Sequence, residues 1–159
     1  MGSHRRIIRS RIVPLAVVAV LGLIGAACAP PASTGSVSGD VVAAVNQDRA
    51  ANGLGGLAVD GQLTAYAQSW ANHLAATGGL EHTDLAALMR LPYMAQWWTM
   101  GENLLTGTGA MSGAAAEDLW MGSSGHRASI LNPAFTHIGV AAVSDSSGRL
   151  WMVAEFGAR

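Results

Sequence analysis

Three short polar groups interrupt an otherwise apolar sequence, and they contain the residues best suited to chemistry. The groups are Glu81-His82-Thr83-Asp84, Gly101-Glu102-Asn103 and Ser124-Gly125-His126-Arg127. Each lies at a predicted element boundary, where binding and catalytic residues are often found. A histidine beside a carboxylate can bind a divalent metal through one ring nitrogen or transfer a proton near neutral pH. The residue types therefore favour His82, Glu102 and His126 as candidate site residues.

The spacing of these residues does not choose between the possible roles. His82 precedes Glu102 by 20 residues and Glu102 precedes His126 by 24, unlike the close pair of a helical zinc motif. The alternative is that all three are buried polar residues that bond loops and fix helix ends. For His73, on the outer side of a predicted helix, and His137, on a predicted strand, the structural role is favoured.

Aromatic residues offer a second candidate feature, a ligand cleft. Trp97 and Trp98 follow Pro92 in a segment without a clean helical pattern, and adjacent aromatic rings suit lipids and sugars. Trp70 and Trp120 instead lie on helical apolar stripes, which predicts that they belong to the core.

The N-terminus predicts export. Basic residues from Arg5 to Arg11 precede an apolar run over 12–27 that is shorter than a bilayer span, so 1–27 is predicted to be a signal peptide. Cys28, the only cysteine, follows two alanines as in the last position of a bacterial lipobox, which predicts lipidation at Cys28. Reading Ala27-Cys28-Ala29 as a cleavage site would instead give a freely secreted protein.

Composition and charge then limit the organisation and the partners. The Pro, Ser and Gly-rich remainder of 28–39 predicts a flexible tether, and 40–159 one domain. Removal of 1–27 leaves five basic residues and ten acids, so the formal charge is −5 and a nucleic-acid partner is not expected. We expect a monomer that contacts the membrane only through its N-terminal lipid anchor.

Helices and a hairpin must position the candidate residues. A helix is predicted from Asp40 to about residue 52, and another from Asp60 to the glycines at 78–79, with Leu63, Ala67, Trp70 and Leu74 on one stripe. A short helix over 114–120 leads into a polar bend. Alternating residues over 135–143 and 149–156 predict a hairpin around 144–148. Helices followed by an antiparallel hairpin indicate an α+β fold.

Five motifs, taken in chain order, resemble the bacterial branch of the CAP superfamily (cysteine-rich secretory, antigen five and pathogenesis-related proteins; SCP-like domains). They are 45–49 (VNQDR), 81–83 (EHT), 101–103 (GEN), 120–127 (WMGSSGHR) and 130–140 (ILNPAFTHIGV). The resemblance covers about residues 40 to 156. It implies an α-β-α sandwich with a small antiparallel sheet between helical layers, including a third strand that the residue pattern does not locate.

The resemblance also implies a site. Eukaryotic members of the family hold two histidines and two acids in a central cleft, sometimes with a divalent cation, and His82, Glu102 and His126 match three of the four positions. Ser123, three residues after Trp120, stands where the fourth acid is expected. A zinc ion held by His82, His126 and Glu102 is therefore the metal that the resemblance allows, with one anionic ligand fewer.

Three functions remain open. The leading hypothesis is an exported binding module for a lipid, cell-wall or host component, with a cleft formed by His82, Glu102, His126, Asn103, Trp97 and Trp98. The second is a metal-assisted hydrolase, in which Glu102 or a histidine acts as base. The third is a structural wall-associated domain. The missing acid argues against the hydrolase, so no catalytic residue is assigned.

Overall fold

A computed structural model describes residues 34–159 of the chain, with side chains from Val37 onward. The predicted signal peptide and Cys28 lie outside the described residues. Within this part of the chain, no helix is both long and apolar enough to cross a bilayer. The elements are α1 (Thr34–Ala51), β1 (Ala58–Val59), α2 (Gly61–Thr77), α3 (Leu85–Leu88), a 3₁₀ turn (Pro92–Met94), β2 (Thr99–Thr108), α4 (Gly113–Gly122), α5 (Ser124–Ile130), β3 (His137–Ser144) and β4 (Arg149–Ala158).

The strands form one four-stranded sheet in the order β1-β3-β4-β2. The long strands β3, β4 and β2 are antiparallel, and the short β1 pairs in parallel with β3. Helix α2 packs against β3 and β4, whereas α1 contacts β3 and α5 contacts β2. The predicted α+β class and α-β-α sandwich are therefore confirmed, with the difference that β1 makes the sheet mixed. The strand that the residue pattern did not locate is β2.

Two apolar cores lie on opposite faces of the sheet because β4 alternates between them. Met152, Ala154 and Phe156 face the side covered by α1, α4 and α5. Trp151 and Val153 face α2. A strand buried on both sides has no solvent face, so every residue of β4 from Leu150 to Ala158 is buried.

Helix α1 begins at Thr34, so the predicted start at Asp40 is wrong. The cause is tertiary packing: Val37 is only 5% exposed and belongs to the core. Gly113 of α4 lies so close that a Cβ there would be 2.5 Å from the Val37 carbonyl oxygen. Contact with α4 therefore orders residues that composition alone assigns to a tether.

The predicted start and end of α2 are confirmed. The Asp60 side chain accepts from the backbone N–H groups of Gln62 and Leu63, at 2.8 and 3.0 Å. At the other end Gly78 adopts φ 72°, a left-handed conformation that suits glycine. Trp70 was predicted to belong to the core, but it is only half-buried. The neighbouring Ala71 is fully buried instead.

Arg49, at the end of α1, joins that helix to the chain segment before β3. Its guanidinium is 2% exposed and donates to the carbonyl oxygens of Gly55, Ile130, Asn132 and Phe135, at 2.7 to 3.2 Å. Burial lowers the pKa of Arg49 from its usual value. The four bonds satisfy the last carbonyl of α5, at Ile130, and three carbonyl groups of the connections before β1 and β3.

Candidate functional site

The centre of the site is a histidine–carboxylate pair between the α2–α3 connection and β2. His82 Nδ1 lies 2.7 Å from Glu102 Oε1. The same oxygen accepts from the Thr83 backbone N–H at 3.0 Å, and Glu102 Oε2 accepts from the Thr83 hydroxyl at 2.8 Å. The His82 side chain is 62% exposed and the Glu102 side chain is 1% exposed. A buried, fully bonded carboxylate thus presents an imidazole ring to solvent.

The sequence analysis placed Glu102 at an element boundary. The structure instead places it inside β2. It is paired directly with Glu155 of β4, which in turn is paired with Gly139 of β3. This row faces α2, since a Cβ at Gly139 would meet the Leu63 and Thr64 backbone of that helix. The strand alternation therefore points Glu102 and Glu155 toward the same side of the sheet.

Glu155 is a site residue that the motifs did not reveal. It is fully buried, no donor among the described residues bonds to its carboxyl oxygens, and its side chain lies within hydrogen-bonding reach of Glu102. Burial, followed by the neighbouring Glu102, raises the pKa of Glu155 well above its usual value. The sequence does contain an indication of this residue. Apart from Glu155, residues 150–156 are apolar on both faces of the strand, which is typical of a strand buried on both sides.

Asn103 does not line the cleft as predicted. It is fully buried on the opposite side of the sheet from Glu102, and its side-chain amide donates to the His126 carbonyl at 3.0 Å. Its role is to fix the backbone of α5, the short helix that carries His126. The dipeptide Glu102-Asn103 therefore supports the site from both faces of one strand.

His126 is half-buried in α5 and lies near enough to His82 for their charges to interact. Burial, and then the proximity of His82, lower the pKa of the His126 imidazole below its usual value. The neutral ring is therefore favoured at neutral pH. The fold thus brings His82, Glu102 and His126 into one neighbourhood, although they are far apart in the sequence.

The predicted zinc site does not fit this arrangement. Within residues 34–159, no group of three or more His, Cys, Asp and Glu side chains is positioned to hold one metal ion. The Glu102 carboxylate already accepts three hydrogen bonds, one from His82 and two from Thr83. Ser123, at the predicted position of the fourth acid, joins α4 to α5 and supplies no carboxylate.

Neither tryptophan of the predicted cleft lines one. Trp97 is 2% exposed, donates from its indole N–H to Gln62 Oε1 at 2.8 Å, and covers Gly157. Trp98 is 64% exposed and does not line the groove that contains Thr83. Both residues precede β2, and only Trp97 turns inward, onto Gly157.

Other aromatic residues line a groove of about 290 Å³ next to His82. We call this the aromatic groove; its walls include Tyr66, Trp70, Thr83, Asp84, Leu91 and Tyr93. Thr83 belongs both to the groove and to the bonds around Glu102. The Tyr66 hydroxyl lies 3.3 Å from Thr83 Oγ1, and burial raises the pKa of Tyr66 above its usual value. Sequence periodicity missed the groove because it placed Trp70 in the core.

The remaining histidines of the described chain lie outside this constellation. His73 is exposed on α2, stacks on Trp70 with ring centroids 4.7 Å apart, and lies 3.2 Å from Glu81. His137 is half-buried on β3, where its Nδ1 lies 2.7 Å from the Thr136 hydroxyl. Both placements are compatible with the structural role favoured from the sequence.

Comparison with known proteins gives consistent matches. YkwD of Bacillus subtilis (strain 168) is 31% identical over 129 residues, which cover 76% of this chain and 47% of that protein. Pathogenesis-related protein 1 of Arabidopsis thaliana is 35% identical over 105 residues, covering 66% and 56% respectively. This chain therefore spans about half the length of each. Among solved structures, an outer surface protein of Borrelia burgdorferi superimposes with a TM-score of 0.71 at 20% identity, covering 80% of this chain and 96% of that one.

A family model adds the decisive match. The model of the cysteine-rich secretory protein family, CAP, matches residues 42–156, which include the whole His82–Glu102–His126 constellation and all four strands except the last residues of β4. The match also covers Arg49 and the buried Glu155. This chain belongs to the CAP family.

Proposed function

We propose that this CAP-domain protein is exported and acts as a binding module for a lipid, cell-wall or host component, with its site at the His82–Glu102 pair. The observation that carries the proposal is the contrast in exposure between the two partners, 62% for the His82 side chain and 1% for that of Glu102. A pair that only stabilised the core would be buried on both sides. Here the buried carboxylate orients a ring that a ligand can reach.

The proposed export of the protein is inferred from two independent features. The basic and apolar N-terminal segments match a signal peptide. The Borrelia protein with the similar fold is described as an outer surface protein. Lipidation at Cys28 is the proposed mode of attachment, and secretion without an anchor is the alternative.

The test uses the purified, exported protein and two envelope materials: vesicles of total bacterial lipid, and insoluble cell-wall sacculi. We expect co-sedimentation with one of them, and at least about tenfold weaker binding for His82→Ala. Gln68→Ala is the control, because Gln68 is an exposed polar residue of α2 that contacts Asn72 and does not line the aromatic groove. Equal binding of His82→Ala and wild type would contradict the proposal and favour the structural-domain alternative.

Hydrolysis is the second candidate function, and it rests on the same pair. A carboxylate bonded to one ring nitrogen fixes the tautomer of the histidine, so that the other nitrogen can act as a general base. Cleavage of sacculi or lipid that is lost in His82→Ala and kept in Gln68→Ala would favour this function. Binding without any released product would exclude it for these materials.

A further inference from the structure

The aromatic groove adjoins the His82–Glu102 pair through Thr83. Its walls are mainly aromatic and apolar, whereas the pair is polar. Its volume of about 290 Å³ is at the small end of ligand sites. Such a groove suits part of an extended molecule better than a complete, enclosed one. The occupant must therefore be identified from the side chains that form the walls.

We propose that the aromatic groove binds a segment of an uncharged or N-acetylated sugar chain. This inference rests on the proposed function, because it names the ligand class of the same site. A sugar ring has an apolar face of C–H groups and an edge of hydroxyl groups. It therefore requires aromatic rings beside hydrogen-bonding groups, which is the combination the groove offers.

The ring of one aromatic wall and the backbone of another are held in place before any ligand arrives. The Trp70 indole N–H donates to the Glu81 carbonyl at 3.2 Å, and its ring stacks on His73. The Tyr93 carbonyl accepts from the Gln62 side-chain amide, which fixes the backbone of a residue that is 57% exposed. Rings ordered in advance lose little conformational entropy on binding.

One end of the groove is polar. Asp84 is exposed at the start of α3, where its Oδ1 accepts from the Ala87 N–H at 2.9 Å. A carboxylate has more acceptor sites than this bond uses, so Asp84 can also accept from a sugar hydroxyl or amide. Thr83 lines the polar end of the groove and bonds Glu102. A sugar chain bound there would therefore lie next to His82.

Charge argues against an anionic lipid in the groove. None of the described residues that line it is basic, and Asp84 contributes a negative charge. A phosphate or fatty-acid carboxylate would be repelled there, whereas a neutral sugar is not. An acyl chain alone would also leave the Asp84 carboxylate facing an apolar surface.

The experiment titrates the exported protein with a hexamer of N-acetylglucosamine and with cellohexaose, and follows binding by tryptophan fluorescence and NMR shifts. Tyr93→Ala should weaken binding at least about tenfold. Trp98→Ala is the matched control, an exposed aromatic residue outside the groove, and should leave the affinity unchanged. Asp84→Asn keeps the helix cap and should weaken binding by no more than about tenfold.

The remaining outcomes overturn the inference. Binding of neither sugar, or equal loss in Tyr93→Ala and Trp98→Ala, would remove the groove as a sugar site. Binding abolished by Asp84→Asn but retained by Tyr93→Ala would show that the sugar contacts Asp84 and not the aromatic walls, which overturns the inference. If vesicles bind in a His82-dependent manner while both sugars fail, the sugar inference is wrong and the proposed binding function stands.

Discussion

Glu102 and Glu155 are paired directly across β2 and β4, on the side of the sheet that α2 covers. Glu102 accepts bonds from His82 and Thr83, whereas Glu155 accepts none from the described residues and has the Glu102 side chain as its hydrogen-bonding neighbour. Burial and the neighbouring charge favour the protonated form of Glu155. Two adjacent carboxyl groups thus have different environments, an arrangement more typical of functional sites than of cores.

Replacing Glu155 with methionine should stabilise the domain. Methionine has a similar length and no carboxyl group to bury beside Glu102, so we expect the free energy of unfolding to rise by about 1–3 kcal/mol at neutral pH. The measurement is urea unfolding. Glu81→Met is the control, because that side chain is 63% exposed and its replacement should change stability by less than about 0.5 kcal/mol. Destabilisation by Glu155→Met would show that the buried carboxyl has an essential partner.

Glu117 should make stability depend on pH. It is 3% exposed on α4, and burial together with Asp48 of α1 raises its pKa from 4.5 to about 7. Between these values the folded state binds more protons than the unfolded state, so the free energy of unfolding falls as pH rises from 4.5 to about 7. Glu117→Gln should reduce this decline, as measured by urea unfolding at about pH 5 and about pH 8. A decline that is unchanged in Glu117→Gln but absent in Asp118→Asn would assign the effect to the exposed neighbour.

Gly139 should tolerate no side chain. A Cβ at this position would lie 2.2 Å from the Thr64 backbone nitrogen and 2.3 Å from the Leu63 carbonyl carbon. Backbone atoms of a packed helix cannot move aside, so Gly139→Ala should cost about 3 kcal/mol of unfolding free energy. The control is Gly122→Ala, where a Cβ would have no neighbour within 4 Å. Thermal melts of both variants compare them, and similar melting temperatures would contradict the close packing of α2 on β3.

Zinc should not stabilise the protein. A metal that binds only the folded state raises stability by about 2.7 kcal/mol at a hundredfold excess over its Kd. Because no three His, Cys, Asp or Glu side chains of the described residues converge on one point, we expect no shift in Tm on adding zinc, in wild type or in His82→Ala/His126→Ala. A stoichiometric shift that the double variant abolishes would restore the metal site and, with it, the metal-assisted hydrolase.

Local signals predicted the elements that local chemistry determines. The bounds of α2 follow from the Asp60 cap and Gly78, and the β3–β4 hairpin follows from alternation around a turn in which Asp145 accepts from the Ser147 and Arg149 backbone N–H groups. The start of α1 could not be predicted in this way, because Val37 is ordered by contact with α4, which is distant in the sequence.

Long-range contacts also explain why the site was only partly predicted. His82, Glu102 and His126 were found by residue type and by resemblance. Strand β2 was not predicted, because Glu102 and Asn103 are polar residues inside a strand. Each has its hydrogen-bond partner far along the chain. Trp97 was misplaced for the same reason, since only the folded chain brings it onto Gly157.

The Arg49 guanidinium also determines how the domain would respond to mechanical load. The chain enters the described domain through α1, so any pull from the N-terminal side is applied along that helix. At the far end of α1, Arg49 bonds the carbonyls of Ile130, Asn132 and Phe135, immediately before β3. Under the proposed anchoring at Cys28, we expect these bonds to carry load from α1 to the segment before β3 and its sheet.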